Sequence, residues 1–136
     1  MSYLLDTNII SEFSKPKPNN KVLNWLTRIP AHDIYLSVLT LGELRKGVEQ
    51  VSEPQKKEKL RIWLEHEVPH LFGPRILFID KQVVDRWGRL LAEMQRSLPA
   101  INSLIAATAL HFDLCLVTRN TTDFDYPSLE VINPWK

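Results

Sequence analysis

The stretch "YLLDTN" (residues 3–8) places a carboxylate at the end of a short apolar run and follows it with a hydroxyl and an amide. The apolar run predicts a buried β-strand, and the helical pattern "NIISEFSK" begins directly behind it. Asp6 therefore stands at a strand-to-helix junction. Two interpretations are open at this point: Asp6 caps the helix, or it is the first ligand of a catalytic metal.

Further apolar segments of similar length recur along the chain, and helical patterns occupy most of the sequence between them. Strands that alternate with helices favour a parallel sheet that is covered on both faces, so we predict a single α/β domain over residues 1–136. The predicted strands are 3–5, 34–37, 75–79 and 114–118, with 129–132 as a possible fifth.

Polar residues mark where several helices should begin. Asn19 or Asn20 is a candidate N-cap for the helix that follows, and Asp80 is another for the long helix after the third strand. Ser52 and Gln55 have the spacing of a capping box.

The composition is that of an ordinary globular protein, with 44% hydrophobic and 24% charged residues. The net charge is +1, so no overall basic field indicates a nucleic-acid partner, although a local patch can bind phosphate without changing the total. Cys115 is the single cysteine, and its apolar surroundings predict a small buried side chain. No apolar stretch approaches the ~20 residues of a membrane span, and we see no secretory signal, so we expect a cytoplasmic protein.

The segment "HEVPH" (66–70) matches the letters of the H-E-x-x-H zinc protease motif. That motif needs a helix to bring both histidines to one metal. Pro69 removes a backbone donor and disfavours helix at Val68. We therefore expect the helix to end near His66 and both histidines to be solvated.

Acidic residues follow three of the predicted strands. Asp6 ends the first strand, Glu43 lies about two turns into the helix after the second, and Asp123 and Asp125 follow the fourth. Ligands of open parallel sheets bind beyond the carboxyl ends of the strands, so we expect these acids to face one crevice. Each acid alone is compatible with a cap or a solvated surface. Together they would repel one another unless a cation or proton intervened, and Mg²⁺ or Mn²⁺ suits such oxygen ligands.

Four stretches in chain order, "YLLDTNIISEF", "LSVLTLGELRKGVE", "AINSLIAATAL" and "LVTRNTTDF", resemble the motifs of PIN-domain proteins. The similarity is to the VapC-type, FitB-like toxins of bacterial toxin–antitoxin pairs, and it runs from Tyr3 to about Pro134. The resemblance implies a three-layer α/β/α sandwich with a central, mostly parallel sheet of four to five strands. It also implies an Mg²⁺- or Mn²⁺-dependent endoribonuclease, a homodimer, and a cognate antitoxin that occupies the active site.

The same resemblance identifies the site residues. Asp6, Glu43 and Asp123 match the first, second and last family acids, whereas the position of the third acid holds Asn102. Asparagine brings no charge and points amide donors towards an ion that needs acceptors, so we expect weak Mg²⁺ binding and little or no RNA cleavage by this chain. Thr7, Asn8, Thr118 and Asn120 match polar positions with orienting roles. Apart from the resemblance, Arg45, Lys46 and Arg119 lie near these motifs and are candidates for contacting the RNA backbone, with a solvated surface position as the alternative for each alone.

Two other functions remain open. A non-catalytic PIN relic that binds RNA or a protein would account for Asn102, although the intact acids speak against it. A phosphoaspartyl enzyme would use Asp6 as its nucleophile, but the haloacid-dehalogenase pattern requires a second aspartate where Asn8 stands.

Overall fold

The structure, a computed structural model, describes residues 1–136. Five strands form one entirely parallel sheet in the order β3-β2-β1-β4-β5. The predicted parallel sheet is therefore confirmed, and the possible fifth strand is part of it. The strands are β1 (Tyr3–Leu5), β2 (Ile34–Ser37), β3 (Ile76–Leu77), β4 (Cys115–Val117) and β5 (Val131–Ile132).

Seven α-helices cover the two faces of the sheet. They are α1 (Thr7–Phe13), α2 (Asn20–Thr27), α3 (Val38–Glu49), α4 (Pro54–Ile62), α5 (Val68–Phe72), α6 (Lys81–Met94) and α7 (Ala100–His111). None of them combines the length and the apolarity that crossing a membrane requires.

Alternating side chains of the central strands separate two cores, as the two-residue period of a strand dictates. Leu5 and Val117 pack in the core that α1, α2, α3 and α5 cover, whereas Leu4 and Leu116 pack in the core beneath α6 and α7. Cys115 is buried as predicted. The result is the three-layer α/β/α sandwich.

The strand order positions the site. From β1 the chain moves outward through β2 and β3, and then returns to the other side of β1 as β4. The carboxyl ends of β1 and β4 are adjacent, with Leu5 opposite Val117. Asp6 and Thr118, the next residues along each strand, therefore lie at the switch point where α/β sheets bind ligands.

The prediction that a helix ends near His66 is wrong. The π-helical turn Trp63–Glu67 joins α4 to α5, and the Val68 N–H donates to the Trp63 carbonyl within it. Pro69, which has no backbone N–H to donate, is the second residue of α5 and follows this turn directly. The wider turn absorbs the break that a proline would otherwise impose.

The predicted helix caps are confirmed at two positions and wrong at a third. Asn19 caps α2 and Asp80 caps α6. The capping box at Ser52 is not formed, because Glu53 is the N-cap of α4 and its carboxylate accepts from the Gln55 and Lys56 N–H groups.

Candidate active site

Asp6 is the buried carboxylate at the centre of the site, with 7% of its surface exposed. Its Oδ1 accepts from the Thr7 N–H at 2.8 Å, which makes it the N-cap of α1. Its Oδ2 accepts from the Thr118 hydroxyl at 2.7 Å. Asp6 also lines a polar cavity beyond the sheet edge. The helix-cap interpretation is therefore correct, and it leaves the carboxylate facing a site where a ligand can bind.

Thr118 is fully buried and organises the polar residues around Asp6. Its hydroxyl oxygen accepts from the Asn120 N–H at 3.1 Å and from Asn8 Nδ2 at 3.3 Å. Asn8 Oδ1 in turn accepts from the Arg119 N–H at 3.3 Å. These bonds connect the beginning of α1 to the loop after β4.

Glu43 reaches the cavity from α3, which Ser37 caps at the end of β2. The side chain is exposed, and its Oε1 accepts from the Thr7 hydroxyl at 2.5 Å. Thr7 thus connects the first acid to the second, since its backbone N–H bonds Asp6 and its hydroxyl bonds Glu43.

Asn102 lies in the first turn of α7, half-buried, and lines the same cavity. Its side chain forms no hydrogen bond to the protein, so its amide is free to meet a ligand. The structure therefore brings Asp6, Glu43 and Asn102 to one cavity.

Asp123 is placed differently from the other predicted ligands. It is exposed on the 3₁₀ turn Thr121–Phe124 and is not among the residues that line the cavity. Its charge nevertheless acts on Asp6, whose pKa it raises. Asp125 is also exposed and outside the lining.

Of the three predicted RNA-contacting cations, only Arg119 lines the cavity. Arg45 is directed elsewhere and pairs with Glu65 at 2.8 Å. Lys46 is exposed on α3 without lining the cavity.

The electrostatics of Asp6 follow from its position. Burial raises the pKa of Asp6 above its ordinary value, and the hydrogen bonds from Thr118 and Thr7 oppose that rise. The charges of Glu43 and Asp123 raise the pKa of Asp6 further. The site therefore contains carboxylates whose mutual repulsion a cation would relieve.

The donor set fits a hard divalent cation, because the carboxylates of Asp6 and Glu43 and the carbonyl of Asn102 are all oxygen ligands. No three His, Cys, Asp or Glu side chains converge closely enough to hold a metal by themselves. Asn102 is neutral, Asp123 stands outside the cavity wall, and the third acid of the wall, Glu12, accepts hydrogen bonds from Lys15 and the Asn19 N–H. Because the protein offers few ligands, the arrangement fits an ion that keeps several of its waters and is bound weakly.

Sequence reasoning missed four residues of the cavity wall. Ser11, Glu12 and Lys15 belong to α1 and the turn after it, and Trp135 comes from the end of the chain. The sequence did contain a signal for this polar face of α1. Polar residues recur there at helical spacing, on the side opposite the buried Ile9 and Ile10: Asn8, Ser11, Glu12 and Lys15. The complete wall consists of Asp6, Thr7, Asn8, Ser11, Glu12, Lys15, Glu43, Asn102, Arg119, Asn120 and Trp135.

Comparison with known proteins agrees with this architecture. Residues 3–126 match the PIN domain family. The chain is 38% identical over 135 residues to Toxin FitB of Neisseria gonorrhoeae, covering 97% of each protein. It is 33% identical over 136 residues to VapC ribonuclease Y4jK of Sinorhizobium fredii, covering 98% of this chain and 97% of the relative.

Solved structures are similar over the whole chain as well. FitAcB from Neisseria gonorrhoeae superimposes with a TM-score of 0.90 at 38% identity, covering 98% of both chains. A toxin–antitoxin complex from Klebsiella pneumoniae superimposes with a TM-score of 0.71 at 27% identity, covering 99% of both. With its fold, its motifs and these full-length similarities in agreement, the chain belongs to the PIN domain family.

Proposed function

We propose that this PIN domain is the toxin of a toxin–antitoxin pair and acts by metal-dependent endonucleolytic hydrolysis of RNA, with Asn102 impairing the reaction. The relatives are named as a toxin and a ribonuclease, which supports both parts. The observation that carries the proposal is the buried Asp6, held by Thr7 and Thr118 at the switch point of the sheet and facing a cavity that contains Glu43 and Asn102.

Mg²⁺ or Mn²⁺ is the cation that this oxygen-rich donor set suits. Asp6, Glu43 and Asn102 would hold it, with Asp123 contributing from the turn after β4. When bound, such an ion lowers the pKa of a coordinated water and neutralises charge on phosphate oxygens. Thr118 and Thr7 fix the acceptor oxygens of Asp6 and Glu43 in advance. No serine or cysteine nucleophile is required, because water supplies the group that attacks phosphorus.

The experiment compares the chain as it stands with Asn102→Asp, both purified and incubated with RNA. We expect the Asp form to cleave RNA with Mg²⁺ or Mn²⁺, to stop in EDTA, and to inhibit growth when expressed. We expect little or no cleavage by the Asn form. Cleavage by the Asp form in excess chelator would contradict the metal mechanism, and equal activity of both forms would exclude position 102 as a necessary ligand.

The alternative of a non-catalytic module rests on Asn102 alone. It requires that both forms bind RNA or a protein without cleaving RNA. The same comparison therefore separates the two functions, because inactivity of the Asp form with either metal supports the module.

The partners follow from the toxin assignment. We propose a cognate antitoxin that occupies the active site, and a homodimer that acts in the cytoplasm, where RNA substrates are available. Light scattering at about tens of micromolar, a range in which modest interfaces associate, should give the mass of a dimer. A strict monomer would contradict the dimer without affecting the site.

A further inference from the structure

The wall of the cavity that contains Asp6 carries charges of both signs. Asp6, Glu43 and Glu12 are its acids, and Lys15 and Arg119 are its two cations. A polyanion such as RNA is repelled by bare carboxylates, so the two cations supply the attraction that the carboxylates lack.

Glu12 holds the side chain of Lys15 in place. Its carboxylate is almost fully buried, with 5% of the residue exposed. Oε1 accepts from Lys15 Nζ at 2.9 Å, and Oε2 accepts from the Asn19 N–H at 2.8 Å. The Lys15 hydrogen bond is the main cause that lowers the pKa of Glu12, followed by the Asn19 N–H. Glu12 is therefore ionised at neutral pH, and it holds Lys15 and the start of α2 together.

Lys15 remains available to a ligand. Its side chain is 56% exposed, and Glu12 uses only one of the three donors of the ammonium group.

Arg119 is held in place by its neighbours, but no carboxylate pairs with its charge. Its backbone N–H donates to Asn8 Oδ1, and its carbonyl accepts from Asn133 Nδ2 at 3.4 Å. Its guanidinium lies over the Trp135 ring, 5.1 Å from the centroid. The guanidinium has no carboxylate partner within ion-pair distance, although its charge lowers the pKa of Glu12. A planar donor group held in this way suits a phosphate.

We propose that Lys15 and Arg119 form a subsite for an RNA phosphate next to the scissile one, and that Glu12 is a positioning residue for this subsite. The proposal rests on the ribonuclease function proposed above. RNA presents a phosphate at every nucleotide, so a strand whose scissile phosphate lies beside Asp6 and Glu43 offers its neighbouring phosphates to Lys15 and Arg119. Glu12 acts through Lys15 and does not contact RNA.

Binding of a labelled single-stranded RNA to the Asn102 form tests the subsite, because that form should bind without cutting. Fluorescence anisotropy is measured over a range of salt concentrations for Lys15→Ala, Arg119→Ala and Lys17→Ala. Lys17 is an exposed lysine of the same loop that does not line the cavity, and it is the matched control. Each lost phosphate contact should reduce the slope of log K against log salt by about 0.7. The slope of Lys17→Ala should equal that of the unsubstituted chain.

Glu12→Gln tests the positioning role in the Asn102→Asp background. Glutamine keeps the shape but loses the charge, and its single carbonyl oxygen replaces two carboxylate oxygens. We expect a raised KM for RNA with kcat retained, and partial rescue by Glu12→Asp relative to Glu12→Ala. Circular dichroism verifies that each variant is folded.

The outcomes separate this proposal from the proposed function. Equal salt slopes for Lys15→Ala, Arg119→Ala and Lys17→Ala would overturn the subsite, even if the Asn102→Asp form cleaves RNA. Reduced slopes for Lys15→Ala and Arg119→Ala with no cleavage by the Asp form would support an RNA phosphate subsite while rejecting the ribonuclease. A lower kcat with unchanged KM in Glu12→Gln would overturn the positioning role.

Discussion

The Thr118 hydroxyl donates to Asp6 Oδ2 at 2.7 Å, joining two residues that are 112 positions apart in the chain. The same oxygen accepts from the Asn120 N–H and from Asn8 Nδ2. A hydroxyl has one donor and two acceptor lone pairs, so these three bonds use its full capacity. Its proton must therefore point at Asp6, and the carboxylate is held as an acceptor without a protein cation beside it.

Thr118→Val should destabilise the protein by about 1–3 kcal/mol, the cost of leaving buried polar groups unpaired. Valine has nearly the same shape, so packing is not the cause. The free energy of unfolding is measured in urea with EDTA present. Thr118→Ser retains the hydroxyl and should keep most of the stability that Thr118→Val loses. Equal unfolding free energies for Val and Thr would show that the bond contributes nothing.

Metal binding should depend on pH through Asp6. Its pKa is raised, chiefly by burial, so protonation favours the folded state and its contribution to stability is lost as the pH rises through that raised value. A divalent cation binds the ionised form and offsets this loss. The increase in Tm on adding Mn²⁺ to the Asn102→Asp form should therefore grow as the pH rises through the raised pKa of Asp6, as followed by differential scanning fluorimetry. An increase of constant size, or one that persists in Asp6→Ala, would contradict the assignment.

The roles of the acids can be separated in the Asn102→Asp background. Asp6→Ala should abolish RNA cleavage, because it removes the carboxylate that Thr7 and Thr118 hold at the switch point of the sheet. Asp123→Ala should also abolish it, although Asp123 stands outside the cavity wall. Circular dichroism checks that both variants keep the fold. Activity in both would show that the wrong acids were chosen, and activity in Asp123→Ala alone would restrict the site to the residues of the wall.

Much of the fold was predictable because the relevant signals are local. β1 and β2 begin and end as their apolar runs predict. The third predicted strand, 75–79, is paired only over Ile76–Leu77, since it lies at the edge of the sheet and has one neighbour. The continuity of the helix through Pro69 was not predictable from residue preferences, because it depends on a π-helical turn that packs Leu64 into the core.

The site was predictable where a residue follows directly from the end of a strand. Asp6 and Thr118 are such residues, and parallel pairing alone brings them together. Glu12 and Lys15 were missed because their role depends on the turn after α1, where the Asn19 N–H meets the buried carboxylate. The position of Asp123 outside the cavity wall was equally hard to predict, since the 3₁₀ turn that carries it packs Phe124 into the core beneath α6 and α7.

Asn102→Asp should change stability and metal affinity in different ways. Asn102 lies in the first turn of α7, a turn that contains no acidic residue and has Pro99 as an N-cap without a side-chain bond. An aspartate there gains about 0.3–1 kcal/mol from the helix dipole. Repulsion from Asp6, whose pKa neighbouring acids already raise, acts in the opposite direction. In EDTA we therefore expect the Asp form to be equally stable or slightly less stable, within about 1 kcal/mol.

Adding Mg²⁺ or Mn²⁺ should reverse that order, because the new carboxylate supplies both an acceptor and a charge where asparagine supplies only a carbonyl. The metal-induced rise in unfolding free energy should be larger for the Asp form than for the Asn form. Urea unfolding of both forms, with and without metal, measures the difference, and Asn102→Ala gives the baseline for a site without a ligand at this position. If the Asn and Asp forms gain equally from metal, position 102 does not hold the ion. If neither gains more than the Ala form, the cation is bound by other residues of the cavity, and the impairment of this chain must have another cause.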